Sequence, residues 1–352
     1  MKKIFLMAYA RKNLGDDLFI KMLLERYPMN DFYMKINNYD FLDKLDKYDN
    51  LHVLIGNDTD EELYKSDLNE YDAYIYIGGS IFIEGGKVYN LSEKFFDFVS
   101  RCKINNKPFC YVSCNYGPYQ TQEYFELSKK DFRECTDICF RDKYSYQLFK
   151  DIKSVRYAPD YAFSYKMQER TKIPNSIGIS VIDLGIRNDL RENQEQYIKF
   201  LINNIKEYIE MGKKVYLYSF CKYEGDENTI DNILNKFYNN SHVISVKYNG
   251  NVDDFMELYS KMEYMICARF HAMILSCVAR QKMYIMSYSK KIDNVIDDLN
   301  LDLPVIHFRE IKENIKLNLN HFVSIDEDKI KKIIKESSKQ INVITKYSDD
   351  CF

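Results

Sequence analysis

One apolar run that changes from strand-like to helix-like decides the fold class, and it reads Tyr264-Met265-Ile266-Cys267-Ala268-Arg269-Phe270-His271-Ala272-Met273-Ile274-Leu275-Ser276-Cys277. Its first four residues predict the end of a buried strand, and the apolar residues after His271 predict the first turns of a helix. Arg269, a permanent cation, and His271, a titratable imidazole, lie at the junction. Open α/β sheets bind ligands beyond the carboxyl ends of their strands, so this junction is a candidate site for a phosphate or a carboxylate.

Arg269 and His271 also have a purely structural interpretation. In that interpretation Arg269 pairs with a nearby aspartate, and His271 caps or packs against the helix. For an isolated Arg-x-His pair the structural interpretation is the commoner one, because buried charges are usually paired. Polar residues at other predicted strand ends shift the balance towards a ligand site.

Strands and helices alternate along almost the whole chain. In the first half, strands are predicted over Lys3 to Tyr9, Phe32 to Ile36, His52 to Ile55, Ala73 to Ile77, Phe109 to Cys114, Asp137 to Phe140 and Ser154 to Tyr157. In the second half they are predicted over Ser176 to Ile182, Lys214 to Phe220, His242 to Val246, Tyr264 to Cys267 and Met283 to Ser287. Repeated strand–helix units predict parallel sheets that are covered on both faces.

The fold class predicted from this alternation is α/β, with two Rossmann-like, doubly wound parallel-sheet domains facing a cleft. A chain of 352 residues is long for one core, and 46% hydrophobic residues are enough to fill two. We expect an N-terminal domain over 1–165, a polar linker over 166–175 and a C-terminal domain over 176–326. Residues 327–352 are expected to form a C-terminal helix and tail, with one helix from Glu327 to about Lys346.

Composition excludes several classes of function. A formal net charge of -3 gives no electrostatic reason to expect nucleic acid or an anionic membrane as partner. The nine cysteines are scattered, lack a Cys-x-x-Cys pair and resemble reduced, buried thiols, so no metal site is predicted. No window approaches the ~18 apolar residues of a membrane span. We therefore expect a cytoplasmic protein without an integral membrane segment, a metal or a bound cofactor.

Polar residues gather at the predicted strand ends of the first half. Each has a structural alternative, since Gly15 suits a turn, Asp16 suits a helix cap, and Arg141 with Asp142 suits a self-satisfied ion pair. Their shared location favours a binding site. The candidates for binding a neutral polyol, called the acceptor below, are Asn13, Gly15, Asp17, Gly78, Gly79, Ser80, Arg141 and Asp142.

The second half offers two further candidates. Asp183 ends the first strand of this half, where it suits either a helix cap or an acceptor for a hydroxyl group. Lys291 follows the strand next after the Arg269 unit, and consecutive units of a doubly wound sheet usually lie side by side. Lys291 is therefore expected near Arg269, although a solvated lysine at the start of a helix is the commoner case.

Together these residues resemble the polysaccharide pyruvyl transferase family. The resemblance runs from about Asn13 to Lys291 and rests on Asn13-x-Gly15-Asp16, Gly78-Gly79-Ser80, Gly117-Pro118, Arg141-Asp142 with Ser145, Pro159-Asp160, Arg269-x-His271 and Tyr288-x-x-Lys291. It implies a fold like that of GT-B glycosyltransferases, with phosphoenolpyruvate as donor co-substrate. The implied acceptor is a pair of sugar hydroxyls on a glycan, or on its lipid- or nucleotide-linked precursor. The product would be a pyruvate ketal, with phosphate released.

The chemistry of such a transfer assigns provisional roles. The donor carries a carboxylate and a phosphate, so at least two fixed cations are needed. The donor-binding candidates are Arg269, Lys291, Arg187, Ser180 and Tyr288. His271 is the candidate acid. Asp16, Asp183 or Asp142 would orient or deprotonate the acceptor hydroxyl.

The sequence departs from the family pattern at three places. Lys12 precedes Asn13 where many members have a glycine, and Ser80 replaces a third glycine. The family often has Ser-x-Arg after the first strand of the second half, but here Ile182 takes the arginine position. Arg187 lies five residues further on and is the expected substitute.

Two other functions remain open from the sequence. One is a GT-B nucleotide-sugar glycosyltransferase, in which the cationic site faces a diphosphate. The other is a catalytically inactive glycan-binding relative, for which Ile182 is the indication. The oligomeric state is open as well, and a homo-oligomer is one alternative.

Overall fold

The computed structural model describes residues 1–36, 45, 47–56, 67–85, 93–187 and 189–347. The chain divides into two compact units. The first comprises Met1–Ala10, Asp16–Ser164 and Ile334–Phe352. The second comprises Arg11–Gly15 and Tyr165–Ile333, so that the short segment after the first strand belongs to the second unit.

The first unit is built on a seven-stranded parallel sheet. Its strands are β1 (Lys3–Ala8), β2 (Asp31–Ile36), β3 (Leu51–Ile55), β4 (Ala73–Ile77), β5 (Phe109–Cys114), β6 (Asp137–Phe140) and β7 (Val155–Tyr157). Their order is β3-β2-β1-β4-β5-β6-β7, so the direction of winding reverses between β1 and β4. Every residue of β5 is buried, as expected for a central strand of a parallel sheet that is covered on both faces.

Helices α1 (Leu14–Arg26), α2 (Glu93–Ile104), α3 (Gln122–Glu134) and α4 (Lys143–Phe149) connect strands of this sheet. The core between sheet and helices is largely aromatic, and Phe82, Phe132 and Phe149 have essentially no exposed surface. Trp is missing from the sequence, and edge-to-face pairs such as Phe82–Phe132, with ring centres 4.9 Å apart, fill this space.

The end of the chain packs on the first unit. Helix α10 (Glu327–Ser337) is followed by a 3-10 turn at Ser338–Ile341 and by α11 (Asn342–Tyr347). The buried amide of Gln340 accepts a hydrogen bond from Ser113 N at 2.9 Å and donates one to Ala158 O at 2.6 Å. These bonds satisfy backbone groups at the ends of β5 and β7, so the terminal segment completes the first unit.

The second unit contains a six-stranded parallel sheet. Its strands are β8 (Ile173–Ser180), β9 (Lys214–Ser219), β10 (Val243–Lys247), β11 (Met262–Cys267), β12 (Lys282–Ser287) and β13 (Val305–His307). Their order is β10-β9-β8-β11-β12-β13, and the winding reverses between β8 and β11. The helices are α5 (Gln194–Glu210), α6 (Asp226–Leu234), α7 (Val252–Ser260), α8 (Phe270–Val278) and α9 (Lys290–Asp298).

The predicted fold class, two parallel-sheet α/β domains, is confirmed, and most predicted strands lie within two residues of their observed ends.

The prediction of one helix from Glu327 to Lys346 was wrong, because Ser337 turns inward. Its hydroxyl donates to Asp160 O at 2.8 Å and interrupts the helix. Strand β13 was missed, since three residues carry too little periodicity. The segment expected to serve as linker, 166–175, already includes the first residues of β8. Ser92, the first residue of one predicted helix, and the last five residues lie outside the described part of the chain.

Two further expectations concern the cysteines and membrane-spanning helices. Eight cysteines are free and buried in the described residues, as predicted for structural thiols. Among those residues no helix is both long and apolar enough to cross a membrane.

Candidate functional site

The reversal point of the second sheet lies where β8 and β11 end side by side. Ser180 is the last residue of β8, and its hydroxyl oxygen accepts hydrogen bonds from Ala268 N at 2.8 Å and Arg269 N at 3.2 Å. Arg269 is the residue before α8 and has an extended backbone, with φ -92° and ψ 142°. Ser180 therefore fixes the direction in which the chain, and with it the Arg269 side chain, leaves the strand.

The Arg269 guanidinium is held by two carboxylates. Nε donates to Asp226 Oδ2 at 3.1 Å, Nη2 donates to the other oxygen of Asp226, and Nη1 donates to Glu224. Asp226 also accepts from the backbone N–H groups of Phe220 and Cys221, at 2.9 and 3.0 Å. The structure thus agrees in part with the structural interpretation of Arg269, since this residue forms a bidentate pair with the completely buried Asp226.

The two carboxylates differ in their pKa values. Burial raises the pKa of Asp226 to about 6, against the opposing effect of Arg269. Burial also opposes ionisation of Glu224, but Arg269, Arg187 and Lys291 outweigh it and lower its pKa to about 2. Glu224 is the more exposed of the two, with about 24% of its side chain accessible. Asp226 is therefore the fixed partner of Arg269, and Glu224 is a more accessible, permanently ionised one.

Arg187 lies beside Arg269, as the sequence departure at Ile182 predicts. Its Nη2 is 3.8 Å from the same Glu224 oxygen that Arg269 contacts. Its guanidinium carbon lies 4.4 Å from the centre of the Tyr288 ring. Ile182 itself is buried in the core of the unit. An arginine therefore reaches this site from the loop after β8, although it is displaced along the sequence.

Tyr288 and Lys291 complete the group. Strand β12 pairs with β11, so the strands that precede Lys291 and Arg269 lie side by side. Lys291 Nζ lies 5.2 Å from the centre of the Tyr288 ring and 5.7 Å from that of Phe270. In the described part of the chain no carboxylate lies within ion-pair distance of Lys291.

This group, which we call the Tyr288 cluster, consists of Arg187, Glu224, Asp226, Arg269, Tyr288 and Lys291. Its three cations and two carboxylates leave one formal positive charge. Lys291 has no carboxylate within ion-pair distance, and the buried Nε of Arg187 has no hydrogen-bond partner among the described residues. A buried, unpaired donor is costly, and a bound anion would satisfy it. The Tyr288 cluster is therefore suited to bind an anion.

His271 and the segment 11–15 lie in the same unit. The Asn13 side-chain amide donates to Glu224 at 2.9 Å, and its oxygen accepts from Gly15 N at 3.1 Å. A Cβ atom on Gly15 would overlap the imidazole of His271, so the ring lies directly against the Gly15 backbone. The structure thus groups Asn13 and Gly15 with the donor candidates rather than with the acceptor candidates of the first unit. The close approach of His271 explains why position 15 is a glycine.

Asp183 follows β8 and forms a tight turn. Its Oδ1 accepts from Gly185 N at 2.7 Å. Gly225 has φ +80°, and a Cβ atom there would overlap the Asp183 carboxylate. Asp183 is 8% exposed and is held close to the segment that carries Glu224 and Asp226.

The remaining candidates lie in the first unit, at the reversal point between β1 and β4. Asp16 and Asp17 occupy the first turn of α1, where the helix dipole favours negative charge. Gly78 follows β4, and a Cβ atom on it would lie 3.9 Å from Asp16 Oδ1. Asp17 is buried. Asp16 and Gly78 are thus neighbours, as expected of residues at the ends of two adjacent strands.

Arg141 forms a second buried network in the first unit. Its Nη1 donates to Asp160 at 2.9 Å, and its Nη2 donates to Asn115 Oδ1 at 2.6 Å. Ser80 donates to the same Asn115 oxygen at 3.1 Å, and a Cβ atom on Gly79 would overlap the guanidinium. The proposed ion pair between neighbours 141 and 142 is replaced by the pair of Arg141 with Asp160. Asp142 instead caps α4, accepting from Ser145 N at 2.7 Å.

Sequence reasoning assigned no role to four residues that hold these groups together, Glu224, Asp226, Asn115 and Asp160. All four follow strands, so the rule that selected the other candidates would have included them. The roles assigned to the predicted residues stay predictions. In the described residues no group of three or more His, Cys, Asp or Glu side chains is arranged to hold a metal ion.

Solved structures of other proteins share this architecture. The putative UDP-N-acetylglucosamine 2-epimerase of Listeria monocytogenes has a TM-score of 0.63 and 11% identity, covering 100% of this chain and 97% of its own. MurG of Acinetobacter baumannii has a TM-score of 0.54 and 11% identity, covering 98% and 100%. The UDP-GlcNAc 2-epimerase of Neisseria meningitidis has 0.57 and 8%, covering 98% and 100%. At such low identity the likeness shows the fold alone, which is of the GT-B type.

The family is shown by the sequence itself. The family model of polysaccharide pyruvyl transferase matches residues 12–290, which span both units and include Asn13, Arg187, Arg269 and Tyr288. The match ends one residue before Lys291. The chain therefore belongs to the polysaccharide pyruvyl transferase family.

Proposed function

We propose that the protein transfers a pyruvyl group from phosphoenolpyruvate to two hydroxyls of a sugar, forming a ketal and releasing phosphate. The observation that carries this proposal is the uncompensated positive charge of the Tyr288 cluster. Phosphoenolpyruvate bears a carboxylate and a phosphate, which require cations on two sides. Arg187 and Lys291 both lie within about 5 Å of the Tyr288 ring centre, at 4.4 and 5.2 Å.

The roles of the cations follow from their partners. Arg269 is paired with Asp226, and this pair holds its guanidinium in a fixed position. The buried Nε of Arg187 has no acceptor in the described structure, so a bound anion would supply its missing hydrogen bond. Lys291 is the second ligand-binding cation. Arg187 thus takes the planar, bidentate role that the sequence assigned to Arg269.

His271 and the carboxylates supply candidates for proton transfer. Ketal formation delivers one proton to C3 of the donor and removes the protons of two hydroxyls. His271 lies against Gly15 at the start of α8, and Asp183 lies beside Gly225 in the same unit. In this proposal the acceptor is a glycan or a lipid- or nucleotide-linked sugar. The residues around Asp16 and Gly78 orient it, and the reaction takes place in the cytoplasm.

The proposal is tested by donor binding and by phosphate release. Calorimetry should detect binding of phosphoenolpyruvate to the purified protein, and phosphate should appear when candidate sugar acceptors are added. Arg187→Ala and Lys291→Ala should each weaken donor binding by about 10- to 100-fold, as expected when a charged hydrogen bond is lost. Lys290→Ala is the matched control, because this exposed lysine is the neighbour of Lys291 on the same helix.

Other outcomes would contradict the proposal. Thermal stabilisation by UDP- or GDP-sugars but not by phosphoenolpyruvate would favour a nucleotide-sugar glycosyltransferase. Sugar binding without any binding of phosphoenolpyruvate would favour a glycan-binding protein without donor chemistry. Equal donor binding by the Arg187, Lys291 and Lys290 variants would remove the Tyr288 cluster as the donor site.

A further inference from the structure

Tyr288 is surrounded by cations to an extent unusual for a tyrosine. Arg187 comes from the loop after β8, Arg269 from the end of β11, and Lys291 from the first turn of α9. The ring packs against Phe308, with ring centres 6.4 Å apart at 80°, so it is held by the core of the unit. Glu224 and Asp226 face the same cations but bind Arg269 most closely. Tyr288 is therefore a rigid phenol in a positive environment.

That environment favours the ionised phenol. Burial by itself raises the pKa of Tyr288, but Lys291, Arg187 and Arg269 together outweigh burial and lower the pKa below its ordinary value. Lys291 donates a hydrogen bond to the phenol oxygen, and the side chain is only partly buried. A partly accessible hydroxyl whose anion is stabilised by fixed cations is suited to give up and regain a proton.

We propose that Tyr288 is the catalytic residue that carries the proton between the acceptor hydroxyl and C3 of the donor. The inference rests on the proposed function, because it concerns the same site. The sequence assigned Tyr288 only to donor binding, and it assigned proton transfer to His271. The three cations and the fixed ring distinguish Tyr288 from the other tyrosines that the structure describes.

The proposed steps balance in atoms and charge. The Tyr288 hydroxyl gives its proton to C3 of the enolpyruvyl group, so the methylene becomes a methyl group and C2 acquires oxocarbenium character. The first sugar hydroxyl attacks C2, and its proton passes to the Tyr288 phenolate, which restores the phenol. The second hydroxyl then displaces phosphate from C2, and its proton leaves with phosphate. Arg187 and Lys291 stabilise the phenolate in the interval.

Tyr288→Phe is the decisive variant, because it keeps the ring and removes only the hydroxyl. We expect binding of phosphoenolpyruvate within about threefold of the wild type, since the cations remain. We expect kcat for phosphate release to fall by about 10²- to 10⁴-fold, the usual contribution of a positioned acid or base. Tyr238→Phe, which removes the hydroxyl of an exposed tyrosine of the second unit, is the control for loss of a tyrosine hydroxyl.

A purely structural tyrosine would not change the pH profile. In the wild type, kcat should fall on the alkaline side as the phenol ionises, and this limb should be missing from the residual activity of Tyr288→Phe. An ultraviolet titration of the wild type minus the variant should show one phenol that ionises before the other tyrosines.

The outcomes separate this inference from the proposed function. Absence of donor binding and phosphate release in the wild type would overturn both. An active wild type together with unchanged kcat in Tyr288→Phe would overturn the role of Tyr288 alone. Loss of donor binding in Tyr288→Phe would also overturn it, because the residue would then act in binding rather than in proton transfer.

Discussion

Two buried arginines at strand ends, Arg141 in the first unit and Arg269 in the second, have similar immediate surroundings and different outer ones. Each donates to a completely buried aspartate, Asp160 or Asp226, and to one further oxygen. Arg141 forms an ion pair with Asp160 in the described part of the chain. Around Arg269 two more cations, Arg187 and Lys291, are added and only Glu224 opposes them.

The difference shows how a structural ion pair is told from a ligand site. A buried Arg–Asp pair at a strand end fixes the local chain and is by itself no sign of ligand binding. Uncompensated cations placed around such a pair are the informative feature, because their charge and their unpaired N–H groups are costly without an anion. By this criterion the proposed donor site belongs to the second unit, because its cations exceed its carboxylates.

The largest loss of stability should come from a substitution that breaks either buried Arg–Asp pair. Asp226→Asn leaves Arg269 without its bidentate carboxylate partner, and Asp160→Asn removes the carboxylate that accepts from Arg141 Nη1. Each should lower the free energy of unfolding by about 3 to 5 kcal/mol, the usual result of removing one member of a buried pair. Urea unfolding followed by circular dichroism measures the change, with the exposed Asp297→Asn as control. A loss below about 1 kcal/mol for either variant would show that the comparison of the two pairs does not hold.

The next largest effects, on stability and on rate, should come from adding a methyl group beside Arg141 and beside His271. Gly79→Ala would force the Arg141 guanidinium to move within a buried network, and a loss of about 1 to 3 kcal/mol in the free energy of unfolding is expected. Gly15→Ala would displace the His271 ring. Misplacing a catalytic group by about 1 Å commonly costs about 10²-fold in rate, so phosphate release should fall by that amount.

The two glycine variants should differ in kind. Gly79→Ala should lower the unfolding midpoint, while Gly15→Ala should lower kcat with a smaller change in the midpoint. Thermal unfolding and phosphate release on the same preparations separate the two effects. Full activity of Gly15→Ala would show that the position of His271 against Gly15 is irrelevant to the reaction.

The fold was predictable because its signals are local. Strands such as Ala73–Ile77 and Phe109–Cys114 are short apolar runs between turn residues, and they appear in the structure with the predicted bounds. The interruption at Ser337 was not predictable, since it depends on a hydrogen bond to Asp160, 177 residues away in the sequence. Long-range hydrogen bonds of this kind carry no periodicity.

The candidate site was predictable in part. Strand ends located Arg269, Lys291 and Ser180, because parallel strands bring their carboxyl ends to one edge of the sheet. What the sequence left undetermined is which cation is already paired. Glu224 and Asp226 bind Arg269, and this pairing depends on side-chain geometry. Arg187 reaches the site through the loop after β8, whose course no sequence pattern predicts.

A smaller effect is expected from Glu224→Gln, and it should depend on pH. Ionised Glu224 is stabilised by the cations, and its pKa in the folded protein, about 2, lies below the ~4.3 of an unfolded chain. Its contribution is therefore complete above about pH 4.3 and is lost as the pH falls towards 2. The variant should be less stable than the wild type by about 1 kcal/mol at pH 7, and the difference should shrink below pH ~4.3. Urea unfolding of both proteins at several pH values measures it, and a difference that grows on acidification would contradict the assignment.

The smallest effect should come from Asn13→Ala, which tests whether the segment 11–15 is tied to the Tyr288 cluster through Glu224. The variant loses the 2.9 Å bond to Glu224 and the turn bond from Gly15 N, both in partly buried surroundings. A loss of about 0.5 to 1 kcal/mol in the free energy of unfolding is expected. Because Glu224 would then be held by cations alone, Asn13→Ala and Glu224→Gln should not be additive. A double-mutant cycle measures this coupling, and strict additivity would mean that Asn13 acts on the fold of its own segment and not on the anion site.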